Sequence, residues 1–415
     1  MTNRSPYGTR ATCSGCMSSL LSHLLFLGYV PPVNTMPPQG APHQPMPTFP
    51  LDLYICRNCT LVQINHVVDP NILFPPEYPY TSGTTRILRE NFAELYAEAR
   101  LLFGLGPRDL IVDVGSNDGT LLSNFHAGGH RVLGIEPTLM AEKANARGIR
   151  TRMTFFSVEV GREVVEAEGP ARLVTATNVF AHIDDVRGVI EGIRAMIGGT
   201  GVFVSESHYL LDLVQGVQYD AIYHEHIRYY SLTSLKRLLA STGLTVFRAK
   251  RIPTHGGSIR VFAAVNPPPI DASVSILLAE EEKAGIARPE GFVEFLSRVR
   301  ASKLELYGIL GQVKKRGDRV FGVGAPSRAS TLINYVGLDS GIIECIVEVS
   351  GSHKVGKYVP GTDIPVDDEA RLFSEQPEYA LLFSWHIADE IIEKLRQRGF
   401  KGRFIVPLPS PRVVS

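Results

Sequence analysis

Four cysteines near the start of the chain have the spacing of metal ligands. Cys13 and Cys16 form one Cys-x-x-Cys pair, and Cys56 and Cys59 form a second. Two residues between thiolates let one turn present both sulfurs to an ion, and two such turns complete the tetrahedral shell of structural zinc. Because four sulfurs leave no position for water, we predict a structural Zn²⁺ site and look for reaction chemistry elsewhere. Disulfides or idle thiols are the alternatives, although nothing in the sequence suggests export.

A turn with two glycines after an apolar run carries the second chemical signal. It reads Ile-Val-Asp-Val-Gly-Ser-Asn-Asp-Gly, and Gly115 and Gly119 would let a ligand approach the backbone closely. The spacing is not the Gly-x-Gly-x-x-Gly of dinucleotide sites, and the carboxylates of Asp113 and Asp118 would repel a pyrophosphate. We expect Asp113 to brace the turn and approach a ligand ammonium, with Asn117 and Asp118 adding polar contacts. This set suits a ligand with a cationic amino-acid tail, such as S-adenosylmethionine (SAM).

The next predicted strand ends in a carboxylate. Glu136, in Leu-Gly-Ile-Glu-Pro, can accept hydrogen bonds from both ribose hydroxyls, as in other nucleotide-binding sheets. Phe155 and Phe156 could enclose the adenine ring. Taken alone, Glu136 is more often a solvated strand end and Phe155 a core residue. In series with Gly115 and Asp118, Glu136 predicts a SAM-dependent methyltransferase.

Two histidine-bearing segments follow strands of the same predicted sheet. One is Ala-Thr-Asn-Val-Phe-Ala-His, ending at His182, and the other is Tyr-Asp-Ala-Ile-Tyr-His-Glu-His, ending at His226. Methylation of a carbon beside a ketone needs a base for the C–H proton and donors for the enolate oxygen. Histidine suits the base because its pKa lies near the working pH. Glu225 could orient an imidazole, and Tyr223 and Tyr78 could donate to the oxygen; a polar capping network in a loop is the alternative.

A second glycine turn lies in the C-terminal part. The segment Val-Phe-Gly-Val-Gly-Ala-Pro-Ser-Arg, ending at Arg328, places this turn before a helix whose free N–H groups favour anions. Ser327 and Arg328 could donate to a bound anion such as a diphosphate, and Lys354 and Lys357 add positive charge nearby. The alternative is a degenerate Rossmann half that only packs.

Alternating strands and helices must position these residues. The first unit has predicted strands at 109–114, 131–135, 173–177 and 201–206. Such βα alternation implies a mainly parallel sheet with ligand loops at the carboxyl ends of the strands. Later strands at 245–252 and 258–265 are expected to pair, and 279–313 reads as one long charged helical stretch. A second α/β unit has predicted strands at 319–323, 342–348, 379–383 and 404–406 and helices at 329–336 and 387–398.

Composition narrows the classes of function. The 415 residues, 44% hydrophobic and 20% charged, are enough for two or three globular domains. Lys plus Arg equals Asp plus Glu at 42 each, so no net field favours nucleic acid or an anionic membrane. No apolar run approaches the roughly 20 residues of a membrane span, and the cysteine usage suits a reducing cytoplasm. We therefore expect a cytoplasmic protein, as a monomer, with neither nucleic-acid nor membrane partners.

The chain resembles the bacterial sugar C-methyltransferases that act on nucleotide-linked keto-deoxysugars, in particular the C-3 methyltransferases of branched-sugar pathways. The resemblance covers nearly the whole chain and rests on the order of its motifs. These are the two Cys-x-x-Cys pairs, Glu-Tyr-Pro-Tyr-x-Ser, Val-Gly-Ser-Asn-Asp-Gly, Gly-Ile-Glu-Pro, Asn-Val-Phe-Ala-His-Ile, Tyr-His-Glu-His, Pro-Thr-His-Gly-Gly-Ser-Ile-Arg, Gly-Val-Gly-Ala-Pro-Ser-Arg-Ala-Ser, Tyr-Val-Pro-Gly-Thr-Asp-Ile-Pro-Val and Leu-Phe-Ser-Trp-His.

The resemblance implies an α/β fold with an N-terminal zinc-binding module, a central Rossmann-like class I SAM methyltransferase domain and a C-terminal Rossmann-like domain that binds the nucleotide sugar. We place these parts at 1–68, 69–268 and 313–415, with a helical connector at 269–312. The residues that the family pattern puts at the reacting centre are Tyr78, His182, Tyr223, Glu225 and His226.

Within that pattern His226 is favoured as the base, with His182 as its competitor. The resemblance also places His255 and Gly256 near the substrate, and we add the motif residues Ser82 and Asn178 to the cofactor set. The chain departs from the family pattern, which has Asp, at His224, Thr154 and Glu348. The first departure leaves open which histidine is the base.

Together these features predict methylation at C3 of a TDP- or GDP-linked 4-keto-6-deoxysugar, with C5 as the alternative carbon. The base generates an enolate, which attacks the SAM methyl. One rival is an NAD-dependent oxidoreductase on a nucleotide sugar using Gly-Val-Gly-Ala, although Gly-x-Gly alone is weak. Another is a zinc-stabilised nucleic-acid binder or RNA methyltransferase, against which the balanced charge and the lack of a basic run argue.

Overall fold

The computed structural model describes residues 7–40, 45–74, 83 and 85–415 of the chain. Tyr78 and Ser82, which we predict at the active site, lie outside the described residues. Within the described part, no helix combines the length and the apolar character needed to cross a bilayer.

Short antiparallel strands carry the two cysteine turns. The N-terminal elements are β1 (Gly8–Thr9), β2 (Leu21–Val30), β3 (Phe49–Cys56), β4 (Val62–Ile64), β5 (His66–Val67) and α1 (Pro70–Leu73). Strand β3 pairs with β2 on one side and with β4 on the other, and β1 pairs with β5. The first cysteine pair precedes β2, and the second lies at the turn between β3 and β4. Pairing of these strands therefore brings the two turns together.

A seven-stranded sheet forms the centre of the molecule. Its part of the chain contains α2 (Arg86–Phe103), β6 (Leu110–Val114), α3 (Thr120–Ala127), β7 (Arg131–Ile135), α4 (Met140–Ala146), β8 (Thr151–Arg152), α5 (Val158–Glu168), β9 (Leu173–Thr177), α6 (Val186–Ile197), β10 (Val202–His208), α7 (Leu210–Gln215), β11 (Arg228–Tyr229), α8 (Leu232–Ala240), β12 (Thr245–Ile252) and β13 (Ser258–Ala264). The strand order is β12-β13-β10-β9-β6-β7-β8. Strands β6 to β10 run parallel, and β13 is antiparallel to both neighbours. The chain reverses direction across the sheet between β6 and β9, where ligands bind in such folds.

Strand β11 belongs to the N-terminal sheet rather than to the central one. It pairs antiparallel with β4, with Arg228 opposite Gln63 and Tyr229 opposite Val62. The N-terminal sheet therefore has the order β11-β4-β3-β2. One of its four strands comes from the segment directly after His226, outside the predicted module boundary.

Two helices, rather than one, lead to the C-terminal part. These are α9 (Ala272–Ala284) and α10 (Val293–Lys315). The prediction of one helical stretch over 279–313 is wrong because Gly285, with a φ of 69°, ends α9 in the left-handed conformation. Glycine takes this conformation without a Cβ penalty and is a common helix terminator. A 3-10 turn at Pro289–Phe292 then leads into α10.

The C-terminal part contains a second seven-stranded sheet. Its elements are β14 (Val320–Val323), α11 (Ser327–Val336), β15 (Cys345–Glu348), β16 (Lys357–Tyr358), β17 (Pro365–Asp368), α12 (Ala370–Glu375), β18 (Tyr379–Leu382), α13 (Ala388–Gln397), β19 (Arg403–Val406) and β20 (Arg412–Val414). The order is β16-β17-β15-β14-β18-β19-β20, with antiparallel edge strands β16 and β20. The loop after β2 joins this sheet, since the amide of Tyr358 donates to the carbonyl of Pro37 at 2.8 Å.

A buried ion-pair network fixes α2 against the central sheet. Arg260 on β13 is fully buried and lies 2.7 Å from carboxylates of both Glu206 on β10 and Glu98 on α2. Nδ2 of Asn91 donates to Glu206 at 2.8 Å. Breaking such a pair would leave an uncompensated buried charge, which is strongly destabilising. The network thus holds α2 in place, and with it Phe92, which lines the cavity described below.

Candidate active site

The four cysteine sulfurs form one cluster. The Sγ atoms of Cys13 and Cys59 lie 3.5 Å apart, those of Cys16 and Cys56 lie 3.6 Å apart, and all four are within 4.8 Å of one another. The four thiols are free, so the disulfide alternative is not realised. Zn–S bonds of about 2.3 Å in a tetrahedron separate the sulfurs by roughly 3.8 Å, so this donor set fits zinc.

One cavity of about 610 Å³ lies at the carboxyl ends of β6, β7, β9 and β10. The predicted site residues that line it are Gly115, Asn117, Glu136, Phe155, Phe156, Asn178, His182, Tyr223, Glu225, His226, His255 and Ser327. Residues predicted to hold the cofactor and residues predicted to react therefore share a single space. A methyl donor and a methyl acceptor could meet there.

The cofactor end of the cavity is built around Glu136. Its Oε2 accepts from the amide of Asn117 at 2.9 Å, and its Oε1 accepts from the amide and the hydroxyl of Thr138 at 3.0 and 2.6 Å. These donors fix the carboxylate at the end of β7. Phe155 lines the same cavity with 62% of its surface exposed, and Oδ1 of Asn178 is buried with no partner among the described residues. A carboxylate for ribose, a ring for adenine and a spare acceptor fit SAM.

The two glycines of the first turn lie where a side chain would clash with neighbouring residues. Gly115 has a φ of 72°, and a Cβ there would lie 2.4 Å from Cγ2 of Val179. Gly119 has a φ of 76° and precedes α3, and a Cβ there would lie 3.0 Å from Cγ2 of Ile149. Only Gly115 lines the cavity.

The two aspartates of this turn lie outside the cavity lining. Asp113 accepts a hydrogen bond from the hydroxyl of Thr175 at 2.7 Å, and burial raises the pKa of its carboxyl to about 7. Asp118 accepts from the hydroxyl of Thr120 at 2.7 Å and lies 3.2 Å from the guanidinium of Arg147. Both carboxylates thus support local structure here, and their contact with the cofactor stays a prediction.

The two histidines at the reacting end are held in defined tautomers. Nδ1 of His226 lies 3.0 Å from the carbonyl oxygen of Ala221, and Nδ1 of His182 lies 2.7 Å from that of Glu225. A carbonyl oxygen only accepts, so each neutral ring carries its proton on Nδ1 and presents Nε2 as an acceptor. The hydroxyl of Tyr223 lies 3.0 Å from Nε2 of His226, and the two histidine rings are 4.9 Å apart.

Burial keeps these imidazoles uncharged. Burial is the main cause that lowers the pKa of His182 to about 4, and burial followed by the neighbouring His182 lowers the pKa of His226 well below its usual value. A neutral imidazole has the lone pair that a general base needs. Both rings are therefore uncharged at neutral pH, and their lowered pKa makes each a weaker base than the ordinary histidine expected from the sequence.

The structure adds residues that the sequence analysis missed. Ser207 and His208 end β10 and line the cavity, and the ring of His208 lies 4.8 Å from that of His226 and 5.4 Å from that of His255. Because both residues end a strand beside β9, the sequence could have indicated them as site residues. Nothing in the sequence indicates Asn34, which lies in the irregular loop after β2. Its Nδ2 donates to Glu225 at 2.7 Å.

The predicted substrate residues are only partly brought into the cavity. Ser327 and His255 line it, whereas Gly256, Arg328 and Lys354 do not. Arg328 is 7% exposed, donates to Nδ1 of His386 at 3.0 Å and to Gln218 at 3.2 Å, and lies 3.5 Å from a carboxylate oxygen of Asp220.

The second glycine turn is not an open anion site. The amide of Ala325 donates to Oε2 of Glu348 at 2.8 Å, and Nζ of Lys354 donates to the carbonyl of Ala325 at 2.6 Å. Nε2 of Gln218 donates to the carbonyl of Gly256 at 2.6 Å. Diphosphate contacts by these residues would need them to exchange partners, and stay a prediction.

The fold and the site together define a class of protein. A seven-stranded sheet with one antiparallel inner strand, a carboxylate ending the second strand and a cavity that fits SAM are features of a class I SAM-dependent methyltransferase, here carrying a four-cysteine zinc module. Family models match the chain in the same order. They describe a zinc binding domain at residues 13–74, a methyltransferase domain at 87–249 and a C-methyltransferase C-terminal domain at 253–409.

The chain belongs to the SAM-dependent C-methyltransferase family. It is 37% identical over 375 residues to the C-methyltransferase NovU of Streptomyces niveus, and the alignment covers 88% of each protein. The family models and this relative confirm the predicted family, the fold class and the SAM and zinc cofactors.

Solved structures show more distant likenesses. The PH0226 protein of Pyrococcus horikoshii OT3 is 14% identical with a TM-score of 0.36, over 48% of this chain and 97% of that one. The magnesium protoporphyrin IX methyltransferase of Synechocystis PCC 6803, with bound SAM, is 13% identical with a TM-score of 0.33, over 42% of this chain and 78% of that one.

Proposed function

We propose that the protein methylates carbon C3 of a nucleoside-diphosphate-linked 4-keto-6-deoxysugar. The observation that carries this proposal is the pair of neutral, tautomer-fixed imidazoles of His182 and His226 in the same cavity as the cofactor residues. Activation of a carbon beside a ketone needs a base in that place. The motif resemblance points to a keto-deoxysugar as the compound that supplies this carbon.

The reaction needs one side chain as the base and another as the hydrogen-bond donor to the ketone oxygen. Nε2 of His226 takes the proton from C3, and His182 is the competing base. The hydroxyl of Tyr223, which lies beside Nε2 of His226, can turn its proton to the ketone oxygen and hold the enolate. When bound, SAM supplies an activated sulfonium methyl. The methyl would pass to the enolate carbon as its bond to sulfur breaks and S-adenosylhomocysteine leaves, and the proton stays on the histidine until it is lost to solvent.

Product analysis with a panel of substrates tests the proposal. The protein is incubated with SAM and TDP-, GDP- and CDP-linked 4-keto sugars, and the products are analysed by mass spectrometry. We expect one added methyl group on at least one sugar, and long-range carbon–proton NMR to place it on C3. A methyl on C5 would correct the position, and a methyl on oxygen or nitrogen would overturn the proposed chemistry. SAM binding without any methylated sugar would overturn the substrate class.

Calorimetry with the two candidate cofactors tests the oxidoreductase alternative. SAM should bind and NAD should not, because the cavity that fits a cofactor is lined by Glu136 of the central unit and not by Glu348 of the second glycine turn. Binding of NAD at that turn would revive the alternative.

A further inference from the structure

We propose that the zinc module positions the two active-site histidines, and that Arg228 is the positioning residue that carries this coupling. The inference rests on the proposed function for its kinetic part only. Zinc would then do more than stabilise the two cysteine turns, because the module would also fix the positions of the His182 and His226 rings.

A single residue joins the zinc sheet to both histidine segments. Ile227 lies between His226 and β11. Its carbonyl accepts from the amide of Ile64 on β4 at 3.1 Å, and its amide donates to the carbonyl of Ala181 at 2.8 Å. Ala181 directly precedes His182. Any shift of β4 relative to the central sheet would therefore move both histidines.

The side chain of Arg228 extends this connection to the first cysteine turn. Its Nε donates to the hydroxyl of Ser14 at 2.9 Å, and Ser14 lies between Cys13 and Cys16. Its two terminal nitrogens donate to the carbonyls of Ile183, and of Asp184 at 2.6 Å, the two residues after His182. The guanidinium thus bridges the zinc turn and the loop that carries His182.

The turn itself is held against the same strand pair. The amide and the hydroxyl of Ser14 both donate to Oε1 of Gln63, at 2.9 and 3.0 Å. Gln63 is the cross-strand partner of Arg228 and is 1% exposed. A metal that fixes the Cys13 turn therefore fixes the acceptor of the Arg228 Nε–H.

The chemistry of Arg228 argues for more than packing. The side chain is 1% exposed, and the partners that receive its N–H groups here are a hydroxyl and two carbonyls, all neutral. Burial of an ion costs several kcal/mol, and apolar residues of similar size are often as stabilising in such places. An apolar residue could not replace the planar guanidinium, which donates to two successive carbonyls and to the Cys13 turn at the same time.

The test compares Arg228→Gln with a matched control. Arg237→Gln also removes an arginine that binds a cysteine turn, because Nη1 of Arg237 donates to the carbonyl of Asn58 at 3.1 Å, but this side chain is exposed and does not contact the histidine segments. We expect Arg228→Gln to lower kcat by about 10²-fold, as small misplacements of reacting groups do, and Arg237→Gln to leave it unchanged. Zinc content by mass spectrometry should match the wild type in both variants, because the four cysteines are unchanged. Arg228, Ile183 and Asp184 also line the cavity, so calorimetry of SAM binding separates an effect on the cofactor from an effect on the histidines.

A measurement without any sugar separates this inference from the proposed function. Long-range proton–nitrogen NMR reports the tautomer of each histidine. The wild type should show His182 and His226 protonated on Nδ1, and Arg228→Gln should show a mixture for His182. If Arg228→Gln does not fold, Ser14→Ala, which removes only the hydroxyl, should give a smaller change in the same direction.

Wild-type tautomers and turnover in a folded Arg228→Gln variant would overturn the inference. Loss of zinc or of SAM affinity together with activity would also overturn it, since Arg228 would then serve general stability. Failure of every keto-sugar substrate would instead overturn the proposed function, and the tautomer spectra would still decide the positioning role.

Discussion

At the scale of single residues, burial keeps His226 uncharged at the expense of its basicity. Burial is the first cause of the low pKa of His226, and the nearby guanidinium of Arg328 contributes to it. A substrate diphosphate near Arg328 would offset that positive charge and raise the pKa of the imidazole. If His226 is the base, its basicity would then be greatest when the substrate is bound.

Replacement of His226 tests its role as the base. His226→Asn should lower kcat by about 10²–10⁴-fold, the usual contribution of a placed general base, and should abolish exchange of the C3 proton with deuterated water. The SAM Kd should stay within about twofold of the wild type, because the residues around Glu136 are unchanged.

The control for this prediction is the competing histidine. If His226→Asn keeps most of its activity while His182→Asn loses both methylation and proton exchange, the base is His182. Loss of methylation with intact proton exchange in His226→Asn would place this residue after proton removal.

At the scale of secondary-structure elements, the two α/β units share one device. The second strand of each unit ends in a glutamate that accepts from an amide of the preceding glycine turn: Glu136 from Asn117 and Glu348 from Ala325. Only Glu136 lines the cavity. Similar local structure therefore lines the cavity in one unit and holds only the turn in the other.

Matched substitutions in the two units test this distinction. Glu136→Gln should weaken SAM binding by roughly 10-fold or more, because a hydrogen bond to a charged group contributes about 1.5–3 kcal/mol. Glu348→Gln makes the same chemical change at the equivalent position and should leave the SAM Kd unchanged. Calorimetry measures both, and an equal loss of affinity in the two variants would contradict the assignment of the cofactor to the central unit.

Elements with a strong local pattern could be predicted from the sequence, and those that depend on tertiary partners could not. The apolar strands β6, β7 and β9 lie where predicted, because buried parallel strands are continuous apolar runs. Strand β11, two residues long, exists only because β4 lies beside it. The break after α9 has local signals in Gly285 and Pro289, which the continuous pattern of charges across this stretch obscures.

The candidate site was predictable to the same extent. Glu136 and the cysteines follow from spacing, since their chemistry is local. His208 lines the cavity through the packing of a strand end, and Asn34 contacts the cavity residue Glu225 through the packing of a loop. Their roles required the structure.

At the scale of the whole molecule, the cavity depends on all parts of the chain. Asn34 from the N-terminal loop donates to Glu225 of the central part and accepts from the hydroxyl of Ser327 at 3.1 Å. Trp385 of the C-terminal part donates to Asp220 at 2.7 Å. The reacting end is therefore closed by contacts among the three parts, and conditions that loosen these contacts should affect it first.

Acid is such a condition, because the fold buries neutral histidines near these contacts. His224 is 1% exposed, its Nε2–H donates to the carbonyl of Pro50 at 3.3 Å, and burial lowers the pKa of its imidazole to about 4. In the unfolded chain histidine has a pKa of about 6.5. Between these two pKa values the imidazole of His224 is protonated in the unfolded chain and neutral in the folded protein. The contribution of His224 to the free energy of unfolding is therefore complete above about pH 6.5 and falls as the pH drops towards 4.

Removal of this one histidine should flatten the pH dependence of stability. Urea unfolding of His224→Gln between roughly pH 5 and 6 should show a slope smaller than that of the wild type by about 1 kcal/mol per pH unit. His126→Gln, at an exposed position on α3, controls for the loss of a histidine as such. Zinc content is followed in parallel, so that release of the metal in acid is not mistaken for titration of His224. Equal slopes in the wild type and His224→Gln would show that this buried ring does not couple protonation to unfolding.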